Sequence, residues 1–171
     1  MKRIFLTFIV ICFPVMAWAS QVKVIIKGIA VDSTIKGNAL LTEQDGGVLL
    51  KAYIANVPPG KHGFHIHENG SCEEMGQAAG GHFNPDKVDH GMLPQDGHVH
   101  AHAGDMGNIE IREDGTGLLK MFLPELTLIE GKYAVAGRSI ILHEKEDDFG
   151  QPTGNAGGRI GCGVIEVKDI K

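Results

Sequence analysis

The chain has 171 residues, 43% of them hydrophobic and 22% charged, enough for one domain with a real core. Its formal net charge of −5 at pH 7 argues against nucleic acid as a partner. The same charge makes an anionic small substrate awkward unless positive charge is placed locally to guide it.

In chain order, Lys2 and Arg3 form a short basic start before the apolar run Ile4 to Met16. Ala17-Trp18-Ala19 then has the small-x-small pattern of a signal peptidase site. Residues 1–19 are therefore expected to be a removable signal peptide and residues 20–171 the working domain, exported to a periplasm or the extracellular space. The run is too short for a comfortable membrane span, and bulky Val10 and Ile11 before Cys12 argue against a lipoprotein anchor. Cleavage removes Lys2 and Arg3 and leaves 14 basic against 21 acidic side chains, a net charge of about −7.

Short strands follow. Gln21 to Ile29 alternates, with Val22, Val24 and Ile26 on one face, and Val48 to Val57 and Asn108 to Arg112 behave similarly. Thr116 to Leu123, Arg138 to Leu142 and Gly161 to Val167 add further apolar, β-branched stretches. Turn signals separate them at Asp45-Gly46-Gly47, Pro58-Pro59-Gly60, Asp114-Gly115 and Glu130-Gly131. Short strands with turn signals and no long helical period predict an all-β sandwich or barrel.

Two segments break the rhythm: Glu68 to Met106, and the acidic then glycine-rich Glu144 to Gly158. Long loops in a compact domain are usually functional. Cys72 and Cys162 survive leader removal, and an even pair in an exported chain reads as one disulfide. The loop it closes is long, so chain entropy assigns it on the order of 4–5 kcal/mol.

Eight of the nine histidines fall between His62 and His102, and the ninth is His143. Neutral imidazole suits zinc and copper. On a strand, His65 and His67 point to one face about 7 Å apart, so both rings can converge on one ion. Asp105 adds a carboxylate that zinc tolerates well. His98-Val99-His100-Ala101-His102 offers three candidates, of which only His102 keeps a His-x-x-Asp spacing to Asp105; His98 and His100 are read as solvated and His62 as a structural histidine.

Gly63-Phe64-His65-Ile66-His67-Glu68, Gly81-His82-Phe83-Asn84-Pro85 and His102-Ala103-Gly104-Asp105-Met106-Gly107-Asn108 closely resemble the copper,zinc superoxide dismutases. So do His143-Glu144-Lys145-Glu146-Asp147-Asp148-Phe149-Gly150 and Gly154-Asn155-Ala156-Gly157-Gly158-Arg159, which runs into Cys162-Gly163-Val164-Ile165. The match covers nearly all of the chain after residue 19, in the family's order. It implies a Greek-key β-barrel or immunoglobulin-like sandwich of about eight antiparallel strands with two long functional loops.

The resemblance further implies one copper and one zinc ion. Copper takes His65, His67, His82 and His143; zinc takes His82, His90, His102 and Asp105, and His82 bridges the two. Superoxide is the implied substrate, with Arg159 attracting the anion and His82 handling a proton during Cu(II)/Cu(I) cycling. Asp147 orients His65 and His90, and Cys72 pairs with Cys162. A homodimer or monomer is expected, with no nucleic acid and, once the leader is gone, no membrane as partner. The chain departs from the animal pattern between Asp147 and Arg159, where the loop is shorter and Gln151-Pro152-Thr153 replaces charged residues that steer superoxide. That departure, with the leader and the Asn69-Gly70-Ser71-Cys72 turn, points to a bacterial, exported member. A copper or zinc buffer without turnover and a zinc hydrolase are the competing functions. The first needs binding without catalysis; the second needs an open zinc position, which Asp105 fills.

Overall fold

The computed structural model describes residues 20–167, so the leader expected over 1–19 lies outside the described residues. Eight strands form: β1 (Gln21–Gly28), β2 (Lys36–Gln44), β3 (Gly47–Ala55), β4 (Gly60–His67), β5 (Asp105–Ile111), β6 (Thr116–Pro124), β7 (Ser139–His143) and β8 (Arg159–Val164). All pairings are antiparallel, and the strands close into a barrel in the order β1-β2-β3-β6-β5-β4-β7-β8. Because β3 lies beside β6 and β4 beside β7, the chain crosses an end of the barrel twice, which is Greek-key connectivity. Closure leaves no free sheet edge.

The all-β expectation and the strand number hold. Two of the eight strands, β2 and β4, escaped the reading by alternation, for different reasons. In β2 only Ala39 and Leu41 are fully buried inward residues, and Gly37, Asn38 and Leu40 dilute the pattern. In β4 every residue from His62 to His67 is buried, so no polar face exists to reveal a period of two.

Alternate residues fill the barrel. Val24, Ile26, Leu41, Leu50, Phe64 and Ile66 are all fully buried in one core cluster. Each such side chain contributes about 1.5–3 kcal/mol over its exposed state. The outer faces differ: β1 shows a strict exposed–buried alternation, whereas all five residues of β7 are buried. The covering over β4 and β7 comes from the two long loops, residues 68–104 and 144–158.

A bulge aims the site. Gly63 pairs with Asn108 and His65 with Asp105, so β5 spends one more residue than β4 over this step. Gly107 absorbs it at φ 69°, a left-handed value that glycine adopts without a steric penalty. The extra residue puts Asp105 and Asn108, three apart, on the same outer face, while Met106 and Ile109 stay in the core.

Candidate metal centre

β4 presents His65 and His67 on its outer face, opposite in parity to inward Phe64 and Ile66. His143 ends β7, the strand beside β4, and Asp105 begins β5, the strand on its other side. The loop after β4 brings His82 back onto His67 through a single antiparallel bridge. It then supplies His90 and His102. The Cys72–Cys162 disulfide ties this loop to β8, with Cα atoms 5.8 Å apart and 90 residues between them in sequence.

Two ligand sets result. His65, His67, His82 and His143 form one, and His82, His90, His102 and Asp105 the other; within each set one donor atom per residue lies within 4.8 Å of the rest, and every residue is buried. His82 belongs to both. Its Nδ1–H donates to Asp105 Oδ1 at 2.8 Å, so its other ring face is turned to the first set, with ring centroids 4.2 Å from His65 and 4.9 Å from His67.

The donor atoms are aimed from behind. Asp147 Oδ2 accepts from His65 Nε2 at 2.8 Å, and Asp147 Oδ1 and Oδ2 both lie 3.0 Å from His90 Nε2. The opposite nitrogens, His65 Nδ1 and His90 Nδ1, are buried without a hydrogen-bond partner. His90 Nδ1 does approach Asp105 Oδ2 to 2.8 Å, but outside hydrogen-bonding geometry. His67 donates from Nδ1 to the Gly80 carbonyl at 3.0 Å, which leaves its Nε2 facing His143 Nε2 at 3.3 Å. Buried polar atoms are normally satisfied, so ring nitrogens converging on one another fit a cation between them.

Electrostatics point the same way. Burial holds His67, His82 and His143 below the ordinary imidazole value, to about 2, 4 and 3, although Asp105 pulls His82 partway back. These rings are neutral, the form that coordinates metal. His90 runs opposite: burial disfavours its charge, yet the hydrogen bonds and charges of Asp105 and Asp147 prevail and raise it to about 9. Burial also works against both carboxylates, but the surrounding ring donors hold them far below the usual range. The space between Asp105 and Asp147 therefore favours positive charge. Three imidazoles and a carboxylate suit zinc in a closed shell, and four imidazoles suit copper.

Arg159 begins β8 half-buried, and its guanidinium donates to the carbonyls of Gly76 and Gly80. It shares the Gly80 carbonyl with His67 Nδ1, which places it beside the first set. All the sequence-assigned site residues are thus brought together. His62 is structural as expected, with Nδ1 2.9 Å from the His143 carbonyl and Nε2 3.0 Å from that of Pro58. Lys61, on the outer face of β4, is paired with Glu146 at 2.8 Å.

His98 is a correction. It is buried rather than solvated, stacks on Tyr133 with centroids 3.8 Å apart, and donates from Nε2 to the Pro124 carbonyl. It pins the segment between His90 and His102 to the barrel, whereas His100 is exposed as expected.

Sequence reasoning missed two amide clamps. Asn108 donates from Nδ2 to the Asp147 carbonyl and accepts the Asp147 N–H at Oδ1, at 2.9 and 2.8 Å. Gln151 does the same to His90, with both bonds at 2.9 Å. Asn108 lies in a recognised motif, but Gln151 carried no signal beyond being uncharged.

Residues 35–165 match the family model described as copper/zinc superoxide dismutase. The chain is 40% identical over 147 residues to an extracellular Cu-Zn superoxide dismutase of Drosophila melanogaster, covering 80% of this chain and 78% of that protein. It is also 40% identical over 153 residues to Cu-Zn superoxide dismutase 5 of Dictyostelium discoideum, covering 85% and 97%. An extracellular Cu-Zn superoxide dismutase of Caenorhabditis elegans is 42% identical over 131 residues, covering 72% and 58%. Among solved structures, one described as the clock protein EA4 superposes with a TM-score of 0.78 at 36% identity, covering 92% of this chain and all of that one.

Proposed function

The chain belongs to the copper/zinc superoxide dismutase family, and on that premise we propose that it is an exported superoxide dismutase whose working parts are the residues assembled above. It converts superoxide to dioxygen and hydrogen peroxide, with one copper and one zinc ion per chain as cofactors. Copper, when bound, supplies the Cu(II)/Cu(I) couple by which one superoxide gives up an electron and a second accepts one.

His65, His67, His82 and His143 hold the copper, and His82, His90, His102 and Asp105 hold the zinc. The observation that carries this reading is the pair of buried four-residue sets sharing His82. Asp147 supports it from behind, because one carboxylate fixes the ring orientation of a residue in each set. Arg159 attracts the anion: its fixed charge and forked donors suit a small oxyanion, which answers the negative net charge locally. The two carbonyls that hold it keep its position constant relative to His67. His82 is the ring that takes up and releases a proton at Nε2, the nitrogen turned away from Asp105. Reduction of superoxide to hydrogen peroxide consumes two protons, so a proton carrier at this point matters.

The leader over 1–19 and two relatives named as extracellular support export, to a periplasm or the extracellular space. No helix among the described residues is long and apolar enough to cross a membrane. The enzyme works as a homodimer or monomer and uses no nucleic acid.

The test is metal analysis and a superoxide-removal assay on the protein loaded with copper and zinc. One ion of each per chain with rapid turnover is expected, and His67→Ala should abolish turnover while leaving zinc bound. Full metal loading without turnover would instead identify a metal buffer.

A further inference from the structure

The half of the barrel away from the metal centre is chemically sorted. Outward positions on β1, β2, β3 and β6 carry Lys23, Lys27, Lys36, Lys51 and Lys120, all exposed. No outward position of these four strands carries a carboxylate, in a chain whose net charge is −5. Two lysine pairs stand directly opposite across a ladder, Lys27 with Lys36 and Lys51 with Lys120. Like charges in that position destabilise a sheet. Neither pair has an ion-pair partner among the described residues, where the exposed pairs are Lys61 with Glu146 and Lys132 with Asp86. Glu166 borders the face only at the β1 edge, in the groove that Lys23 and Lys27 also line.

The same face is unusually apolar between its charges. Ile25, Tyr53, Leu118 and Phe122 are 53, 40, 63 and 40% exposed. Leu40, Tyr53 and Leu118 line a shallow groove of about 450 Å³ that Lys51 and Lys120 also border. Large apolar side chains thus alternate with ammonium groups over four adjacent strands.

We propose that this face docks on an anionic phospholipid bilayer. The lysines meet the headgroup phosphates, while Tyr53, Leu118 and Phe122 enter the interfacial layer. Lysine stems lie along apolar surface with the ammonium extended, which is the arrangement a membrane interface rewards. Protein interfaces are depleted in lysine, so a protein partner fits less well. A second copy would bring five positive charges against five and is repelled. A soluble polyanion would satisfy the charges but leave the apolar groups without a role. The metal centre lies under the loops over β4 and β7, across the barrel from β2 and β3, so docking leaves it open to solution. Such docking would depart from the expectation of no membrane partner after leader removal; the common face of these lysines emerges only from the strand register.

Co-sedimentation of the copper- and zinc-loaded protein, starting at residue 20, with phosphatidylcholine vesicles tests the proposal. Vesicles containing phosphatidylglycerol should carry the protein down and pure phosphatidylcholine should not. Each lysine near an anionic surface is worth about a fivefold change in partitioning, so Lys51→Gln with Lys120→Gln should lower binding by roughly twenty-fivefold. The control pair Lys61→Gln with Lys132→Gln, equal in charge change but off the face, should leave binding nearly intact. Leu118→Ser with Phe122→Ser should weaken it with every charge retained. The Lys51/Lys120 and Leu118/Phe122 variants should remove superoxide at the parent rate, which confirms folding. No sedimentation with phosphatidylglycerol, equal loss in the control pair, or unchanged binding in the Leu118/Phe122 variant would each overturn the proposal.

Discussion

β1 and β4 are both eight residues long, yet they solve opposite problems. β1 buries one face in the core and gives the other to solvent, so its side chains read as a clean alternation. β4 buries both faces, one against the core and one beneath the loops that complete the metal centre. The lesson is that a functional strand of this type looks like a poor strand in sequence: its covered outward positions are Gly63, His65 and His67, where β1 has Lys23, Ile25 and Lys27. Rigidity on one side of the barrel and chemistry on the other come from the same ladder, distinguished only by what covers it.

The comparison can be broken first at the disulfide. Cys72→Ser releases the loop after β4 from β8 and should cost about 2–5 kcal/mol in chemical denaturation, with activity lost before the barrel unfolds. An unchanged midpoint would mean the loop is held by metal and hydrogen bonds alone. Next, Asp147→Asn keeps the shape of the side chain but removes the charge that aims His65 and His90. Metal affinity should fall by about 10–100-fold in competition with a chelator, while a strand residue on the β1 side should show no such effect.

The outward positions themselves give the sharper contrast. A Cβ added at Gly63 on β4 would meet the Ala156 Cβ at 2.8 Å and His65 Cε1 at 3.0 Å. Gly63→Ala should therefore cost about 1–3 kcal/mol through crowding beneath the loop, read from thermal unfolding, together with altered metal binding. Thr42→Ala, on the outer face of β2, should change stability by less than about 0.5 kcal/mol. Equal effects at the two positions would deny the distinction between the covered and open halves.

How much was readable in advance follows from the same division. Six strands and both loops were visible because alternation and turn chemistry are local properties. The loop boundaries came out well for that reason: β4 ends at His67 and β7 at His143, where polar, glycine-rich sequence takes over. The two histidine clusters were reached through the family resemblance and His102 through its His-x-x-Asp spacing; the structure gathers these residues, with His102 Nδ1 3.1 Å from Asp105 Oδ1. His98 was misread because its partners, Pro124 and Tyr133, come from later segments of the chain and leave no trace near it in sequence. Gln151 was missed for a related reason: a side-chain amide bonding another residue's backbone needs no particular partner type. The lysine face was hidden because strands distant in sequence had to be placed side by side before their charges could be compared.

Asp147 carries one further consequence. A single carboxylate grips a residue from each cluster, and His82 belongs to both, so on the proposed assignment the two ions would not bind as independent events. Whatever factor zinc contributes to copper affinity, copper must return to zinc, since a thermodynamic cycle closes regardless of path. Filling the sites in either order should therefore give the same ratio, and weakening the Asp147 grip should shrink that ratio from both directions at once.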